Sequence, residues 1–251
     1  MPDRRTHRGP HPEDAELFNS GTIGGLVAAL EDYSLLLTKG YTEKSALKLV
    51  GDHFSLTQRQ RLALMRSACS DRQLVSRRQR CVAVEDLAAK VVAIDGYNLL
   101  ITIEAAISGA IIFEGRDGCF RDLASIHGTY RKVTETVPAL EMIGEFLAKI
   151  GISQSCWFLD SPVSNSGRLK KLMGELAGRN RWDWDVQLLT SPDAHLIKTD
   201  SIVASSDSVI LDCCARWTNL ARTMIERSLP NTHLLDLSPC SSVKSFQAMP
   251  H

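Results

Sequence analysis

Three aspartates stand at the ends of short apolar runs: Asp95 after VVAI, Asp160 after CWFL and Asp207 just past IVASS. Runs of this length and β-branched content suit buried strands. In an open α/β sheet, ligands bind beyond the carboxyl ends of the strands, so three strands ending this way would direct three carboxylates into one crevice. Like charges disfavour each other's ionisation, and such a cluster calls for a cation. Oxygen-only ligands suit Mg2+ or Mn2+. A metal held there activates water and stabilises charge building on a phosphate, which is hydrolytic phosphoryl chemistry. Each aspartate also has a plainer explanation. Asp95-Gly96 is an ordinary turn pair, Asp160 before Ser-Pro can start a loop, and Asp207 can cap a helix beginning at Val209. Their joint placement at strand ends favours a site.

Other groups are candidates for completing it. Glu104 is a lone carboxylate in the apolar segment ITIEAAISGAIIF, either a fourth acid of the site or the ion-pair partner of Arg121 or Arg131. Asp117 in EGRDG reads first as a loop residue, Asp122 as a helix-surface charge, and Asp212 as a weak fourth ligand. VSNSGRLKK (163–171) puts Ser164, Asn165, Ser166 and Gly167 at the start of a helix, where backbone N–H groups can seat a phosphate. Arg168, Lys170 and Lys171 add positive charge, although a capped helix with a basic surface has the same appearance. His127 and Arg131, four apart in IHGTYR, would share a helix face and meet a phosphate or leaving group, or serve as a core histidine and a salt bridge. No Ser–His–Asp order, Walker loop or GxGxxG occurs, which leaves nucleophilic hydrolases and nucleotide folds without support.

The elements that must position these groups change character along the chain. At 251 residues two domains are expected. Residues 1–81 hold 13 Lys/Arg against 9 Asp/Glu, while the whole chain is balanced at 29 of each, so the remainder is acidic. After a Pro-, Arg- and His-rich arm up to Asp14, helical spacing runs through 26–40, through a second helix opened by Thr42, and through QRQRLALMRSAC (58–69). ALKLVGDHFSLTQRQRLALMR reads loosely as a helix–turn–helix. Seven arginines lie between Arg59 and Arg80 (Arg59, Arg61, Arg66, Arg72, Arg77, Arg78 and Arg80) with Asp71 as the one acid, a pattern suggesting contact with a nucleic-acid backbone.

From Lys90 the pattern alternates. KVVAIDG, SCWFLD, DVQLLT, SIVASS and THLLDLS read as strands; LITIEAAIS, FRDLASIHGTYR, ETVPALEMIGEFLAKIG, SGRLKKLMGELAG and ILDCCARWTNLARTMIERSL read as helices. A parallel α/β sheet with helices on both faces follows, giving a helical domain over 1–81 and an α/β domain over 88–251. Seven cysteines without a CxxC pair read as reduced thiols rather than a zinc site. There is no signal-type leader and no run of the roughly 20 apolar residues that span a bilayer, so a cytoplasmic location is expected.

IDGYN (94–98) resembles the first motif of NYN and PIN-type ribonucleases, in which strand one ends in Asp and Asn follows three residues later. SSDSVILD (205–212) is similar to the late PIN motif, a Ser- or Thr-preceded Asp opening a helix. FLDSPVSNSGRLK (158–170), together with HRGPHPEDAELF (7–18), ALKLVGDHFSLTQRQR (46–61) and RDLASIHGTYR (121–131), resembles a prokaryotic family that couples a short helical domain to a PIN-like domain. The resemblance covers nearly the whole chain. It implies a PIN/NYN-like sheet, Asp95, Asp160 and Asp207 as metal-binding carboxylates, and Asn98 orienting the site. The expected activity is metal-dependent phosphodiester hydrolysis, with Asp95, Asp160, Asp207 and Glu104 as catalytic acids and nucleic acid as partner, RNA ahead of DNA. A homodimer is compatible with this, and no membrane partner is expected. The rivals are a non-catalytic PIN-like RNA-binding protein and a small-molecule phosphatase.

Overall fold

The computed structural model describes residues 7–124 and 129–238. Its N-terminal part is helical: α1 (Asp14–Leu17), α2 (Ser20–Thr38), α3 (Glu43–His53), α4 (Gln58–Ser67) and α5 (Asp71–Arg80). The boundaries follow from capping. Asn19, Thr42, Thr57 and Ser70 each accept a backbone N–H at a helix start, and the last two form capping boxes with Gln60 and Gln73.

The α/β part contains β1 (Val91–Asp95), α6 (Gly96–Ile107), β2 (Ile112–Glu114), β3 (Phe120–Arg121), α7 (Thr136–Ile150), β4 (Gln154–Asp160), α8 (Ser166–Asn180), β5 (Trp184–Leu189) and α9 (Pro192–Leu196). It continues with β6 (Ile202–Ala204), α10 (Ser208–Cys213), β7 (Trp217–Thr218), α11 (Leu220–Ser228) and β8 (Leu234–Asp236). Five strands form a parallel sheet in the order β5-β4-β1-β6-β7. Successive strand residues point to opposite faces, and the packing obeys this. Val92, Ile94, Trp157, Leu159, Ile202 and Ala204 enter the large core, which α6, α7, α8 and α11 share. Ala93, Phe158 and Val203 enter a smaller core with Leu196 of α9 and Ile210 and Leu211 of α10. Helices therefore cover both faces.

Three stretches depart from the sequence expectation. THLLDLS does form β8, but β8 pairs with β2 in a second, three-stranded sheet ordered β3-β2-β8. The fifth strand of the main sheet is instead β7, which divides the expected long helix over 210–229 into α10 and α11; two residues are too few to show a strand period. FRDLASIHGTYR is not helical where it is described, because Asp117-Gly118 turns the chain (Gly118 φ 76°) and sends Phe120–Arg121 back antiparallel to β2. The small sheet also ties the two halves together. Ile111, Phe113, Leu123, Leu235 and Leu237 share one core with Leu26, Leu30, Tyr33, Ala63 and Leu64 of the helical part, so packing continues across the chain boundary drawn at 81–88. Among the described residues no helix is long and apolar enough to cross a membrane, and all six cysteines there are free.

Candidate active site

The main sheet has a topological switch point. From β1 the chain proceeds outward through β4 to β5, then returns to the other side of β1 as β6. Crossovers leaving β1 and β6 in opposite directions open a crevice beyond their carboxyl ends. Asp95 is the last residue of β1 and the N-cap position of α6, and Ser205, Ser206 and Asp207 follow β6 directly. Alternation puts Asp95 on the face of Ala93, and Asp160 on the face of Phe158. That is the face covered by α9 and α10, so both carboxylates emerge on the side where Asp193 begins α9 and Asp207 caps α10.

Hydrogen bonds fix the crevice. Ser205 Oγ donates to Asp95 Oδ2 at 2.7 Å and accepts the Asp207 N–H at 3.0 Å. Asn98 Oδ1 accepts both the N–H and the hydroxyl of Ser206, each at 2.9 Å. Asp207 Oδ1 accepts the Val209 and Ile210 N–H groups at 2.8 and 3.2 Å, so the capping role expected for it is real. Gly96 allows the turn from β1 into α6 to lie close against β4, since a Cβ there would come within 2.5 Å of Leu159 and 2.9 Å of the Phe158 carbonyl.

The electrostatics are those of acids without cations. The Asp95 carboxyl is pushed up to about 7, chiefly by burial and secondarily by Asp207 and Asp193, against the opposing Ser205 hydrogen bond. Asp160 is raised by burial and then by Asp193; Asp193 is raised by burial and then by Asp207. The structure thus links Asp95, Asp160 and Asp207 with a fourth carboxylate that sequence reading missed. The signal for Asp193 was present, since it lies four residues past the end of β5, in LLTSPDA. Unlike the other three it does not close an apolar run, because Thr190, Ser191 and Pro192 separate it from β5.

Glu104 lies elsewhere. It sits nine residues along α6 from Asp95, about 13 Å of helix, fully buried. It accepts from Arg8 Nε at 2.8 Å, Tyr130 OH at 2.5 Å and Thr136 Oγ1 at 2.6 Å. Its ion-pair partner is Arg8 of the N-terminal arm, not Arg121 or Arg131. Asp117 and Asp212 are also taken by arginines, and Asp122 accepts from Thr102 at 2.8 Å. Arg131 is not helical and lies beside the arm, where its carbonyl accepts from Arg8; His127 lies outside the described residues. At the start of α8, Ser164 and Arg168 are exposed and Ser166 is buried. Asn165 adopts a left-handed φ of 72° and donates to the Tyr130 carbonyl at 2.9 Å instead of capping the helix.

Most of the arginine-rich stretch is engaged within the protein. Arg59 is bonded to Asp14, Arg61 to Asp52, and Arg66 to the carbonyls of Asp122 and Ala124. Arg77 is bonded to Asp117 and Asp212, and Arg80 to the Leu211 and Cys214 carbonyls. Arg72 and Arg78 remain exposed without an ion pair among the described residues. Five of the seven are therefore bonded within the protein; Arg77 and Arg80 join α5 to α10, where a guanidinium fork satisfies several acceptors at once.

Two comparisons bear on family membership. A model described as "Domain of unknown function (DUF5616)" matches residues 84–223, and one described as "Protein of unknown function (DUF434)" matches residues 25–80. An uncharacterized protein of Methanocaldococcus jannaschii is 32% identical over 183 residues, covering 73% of this chain and 87% of that protein. No solved structure matches. The DUF5616 model spans more than half of the chain, and the chain belongs to that family.

Proposed function

We propose that this member of the DUF5616 family is a metal-dependent nuclease of PIN/NYN type, acting on RNA in preference to DNA through Asp95, Asp160, Asp193 and Asp207. One observation carries the reading: four aspartates follow four adjacent parallel strands on one face of the sheet, around the switch point between β1 and β6, and none of them is ion-paired among the described residues. The central position of β1, with β6 returning beside it, suits the fold that IDGYN and SSDSVILD imply.

The donor set is the test of the metal. Among the described residues no group of three or more His, Cys, Asp or Glu side chains is arranged to hold an ion directly. The acids nevertheless suit a hard cation in charge and donor type, and Mg2+ commonly keeps several waters while taking only one or two carboxylates. Asp95 and Asp207 would hold it, with Asp160 and Asp193 reached through water. When bound, it would supply neutralising charge to a phosphate oxygen. The chain's own contribution is orientation: Ser205 aims Asp95 through Oδ2 while fixing the Asp207 backbone, and Asn98 clamps Ser206. The uncapped start of α8, with Arg168, would seat a neighbouring phosphate.

The test is cleavage of end-labelled single-stranded RNA with Mn2+, Mg2+ or chelator, beside Asp95→Asn. Metal-dependent cleavage lost in the variant is expected. Tight RNA binding without cleavage, retained by Asp95→Asn, would favour a non-catalytic RNA-binding protein; hydrolysis of a phosphomonoester but not of RNA would favour a phosphatase.

A further inference from the structure

A cleft of about 440 Å3 runs between the helical part and the aspartate crevice. Asn98, Ser206 and Asp207 stand at one end, and Tyr33 and Leu37 of α2 with Met65 of α4 form the opposite wall. This volume falls in the range of small-molecule sites, which combine apolar lining with a few placed polar groups. Leu37, Ile101, Met65 and Val209 supply the apolar surface, the last two 42% and 60% exposed.

Tyr33 is 1% exposed, and its hydroxyl, on a residue of the cleft wall, has no hydrogen-bond partner among the described residues. The Tyr97 hydroxyl is unpaired as well, but it is sealed from solvent and has Asp160 as its charged neighbour. Polar groups at buried positions are almost always paired, so an unpaired hydroxyl on the cleft wall is free to meet a ligand. Glu43 lies near Tyr33 as an acceptor, and Asn98, whose Oδ1 is held by Ser206, has its amide N–H groups left to donate. The arginines at the cleft offer little to a second phosphate. Arg66 is bonded to two backbone carbonyls, and Arg77 and Arg121 are tied to Asp117. What remains is a partly apolar slot with donors and acceptors on its edges.

We propose that this cleft binds one nucleobase, a flat ring with a polar edge, belonging to the strand whose phosphate meets the aspartates; this rests on the nucleic-acid reading of the crevice. The helical part then contributes the wall of a base pocket rather than a basic clamp. The same chemistry would accept the base of a free nucleotide, and the test separates the two sources.

Binding of nucleoside 5′-monophosphates, of ribose 5-phosphate and of a labelled RNA hexamer is measured on the full chain by calorimetry and fluorescence anisotropy, without divalent metal. At least tenfold tighter binding of a monophosphate than of ribose 5-phosphate is expected, with the hexamer competing for the same site. Tyr33→Phe removes one hydroxyl and should weaken binding roughly three- to tenfold. Met65→Trp, which narrows the mouth, should weaken it about tenfold or more. Equal binding with and without a base, or wild-type affinity in both variants while circular dichroism shows them folded, overturns the proposal. A monophosphate that RNA does not displace overturns its strand version in favour of a free nucleotide. Base-dependent binding without RNA cleavage supports the pocket and sinks only the nuclease reading.

Discussion

Two carboxylate clusters meet α10, one through Asp212 within it and the other through Asp207 at its cap, and the same residue type behaves oppositely in them. In one, Asp117 receives Arg77 Nη1 at 2.6 Å and Arg121 Nη2 at 2.7 Å, while Asp212 receives Arg77 Nε at 2.7 Å. The guanidinium charges hold the Asp117 carboxyl far below the usual range despite its burial. In the other, Asp95, Asp160 and Asp193 are raised by one another or by Asp207, with burial as the main cause and no ion pair opposing it among the described residues. The first cluster is complete in the protein alone and binds α5 to the α/β part. The second carries charge that the protein does not neutralise. Acids joined to arginine explain architecture, whereas acids left to each other require something from outside.

The sharpest way to break this contrast is to remove a cation from the complete cluster. Arg77→Ala leaves Asp117 buried with half of its partners and Asp212 without its ion pair. Truncating one partner of a buried ion pair typically costs about 3–5 kcal/mol, and urea denaturation should report a loss of that size. A loss below about 1 kcal/mol would mean that the pairing does not hold the two halves together.

The open cluster should respond in the opposite direction. Asp95 has a folded value of about 7 against an ordinary 3.8, so the folded state binds the extra proton. Stability of the metal-free protein then falls as pH rises from about 4 to above 7. Asp95→Asn removes that penalty: it should match the wild type near pH 4 and exceed it at pH 8. The gain is bounded at about 4 kcal/mol, the free energy that separates a carboxyl titrating near 7 from one titrating at 3.8. Thermal melts across this range give the comparison. Mn2+ should raise the wild-type midpoint at pH 8 and leave Asp95→Asn nearly unmoved. A wild type that gains stability over the variant with rising pH would contradict the unneutralised reading.

What could be read from the sequence follows the same division. Strands β1, β4 and β6 show as β-branched or apolar runs because both their faces are largely buried, whereas the edge strand β5 shows only through its apolar VQLL core, and Asp95, Asp160 and Asp207 show because each follows a buried run. The arginines could not be sorted in this way. Arg77 and Arg72 look alike in DRQLVSRRQR, but one is buried against partners 40 and 135 residues away and the other is exposed. Ion-pair partners at that separation leave no local pattern. Glu104 stands out as a lone acid in an apolar helix; its partner is Arg8, 96 residues earlier, in a segment that reads as an extended arm.

Glu104 therefore gives a control of intermediate size. Glu104→Gln keeps an acceptor for Tyr130 and Thr136 but loses the charge facing Arg8. A hydrogen bond to a charged group contributes about 1.5–3 kcal/mol, and denaturation should show a loss within that span. Metal-induced stabilisation should be unchanged, since Glu104 lies about 13 Å along α6 from the crevice. Loss of the Mn2+ response in this variant would move Glu104 back among the site acids.

The smallest effect tests whether the open cluster is one electrostatic unit. Asp193 is exposed as a residue, only its carboxyl being partly shielded, and it acts on the others through the field, so its coupling to each should be about 1 kcal/mol or less in a solvent-rich environment. Asp193→Asn removes a negative charge that raises both Asp95 and Asp160. Both should titrate lower than in the wild type, Asp95 still well above 3.8 because burial dominates its displacement. Carboxyl-selective NMR titration resolves the two sites, and added salt should shrink the Asp193 contribution far more than the burial contribution. If Asp95 is unaffected while Asp160 moves, the cluster is two separate pairs, and Asp193 belongs with the β4–β5 edge rather than with the crevice at the switch point.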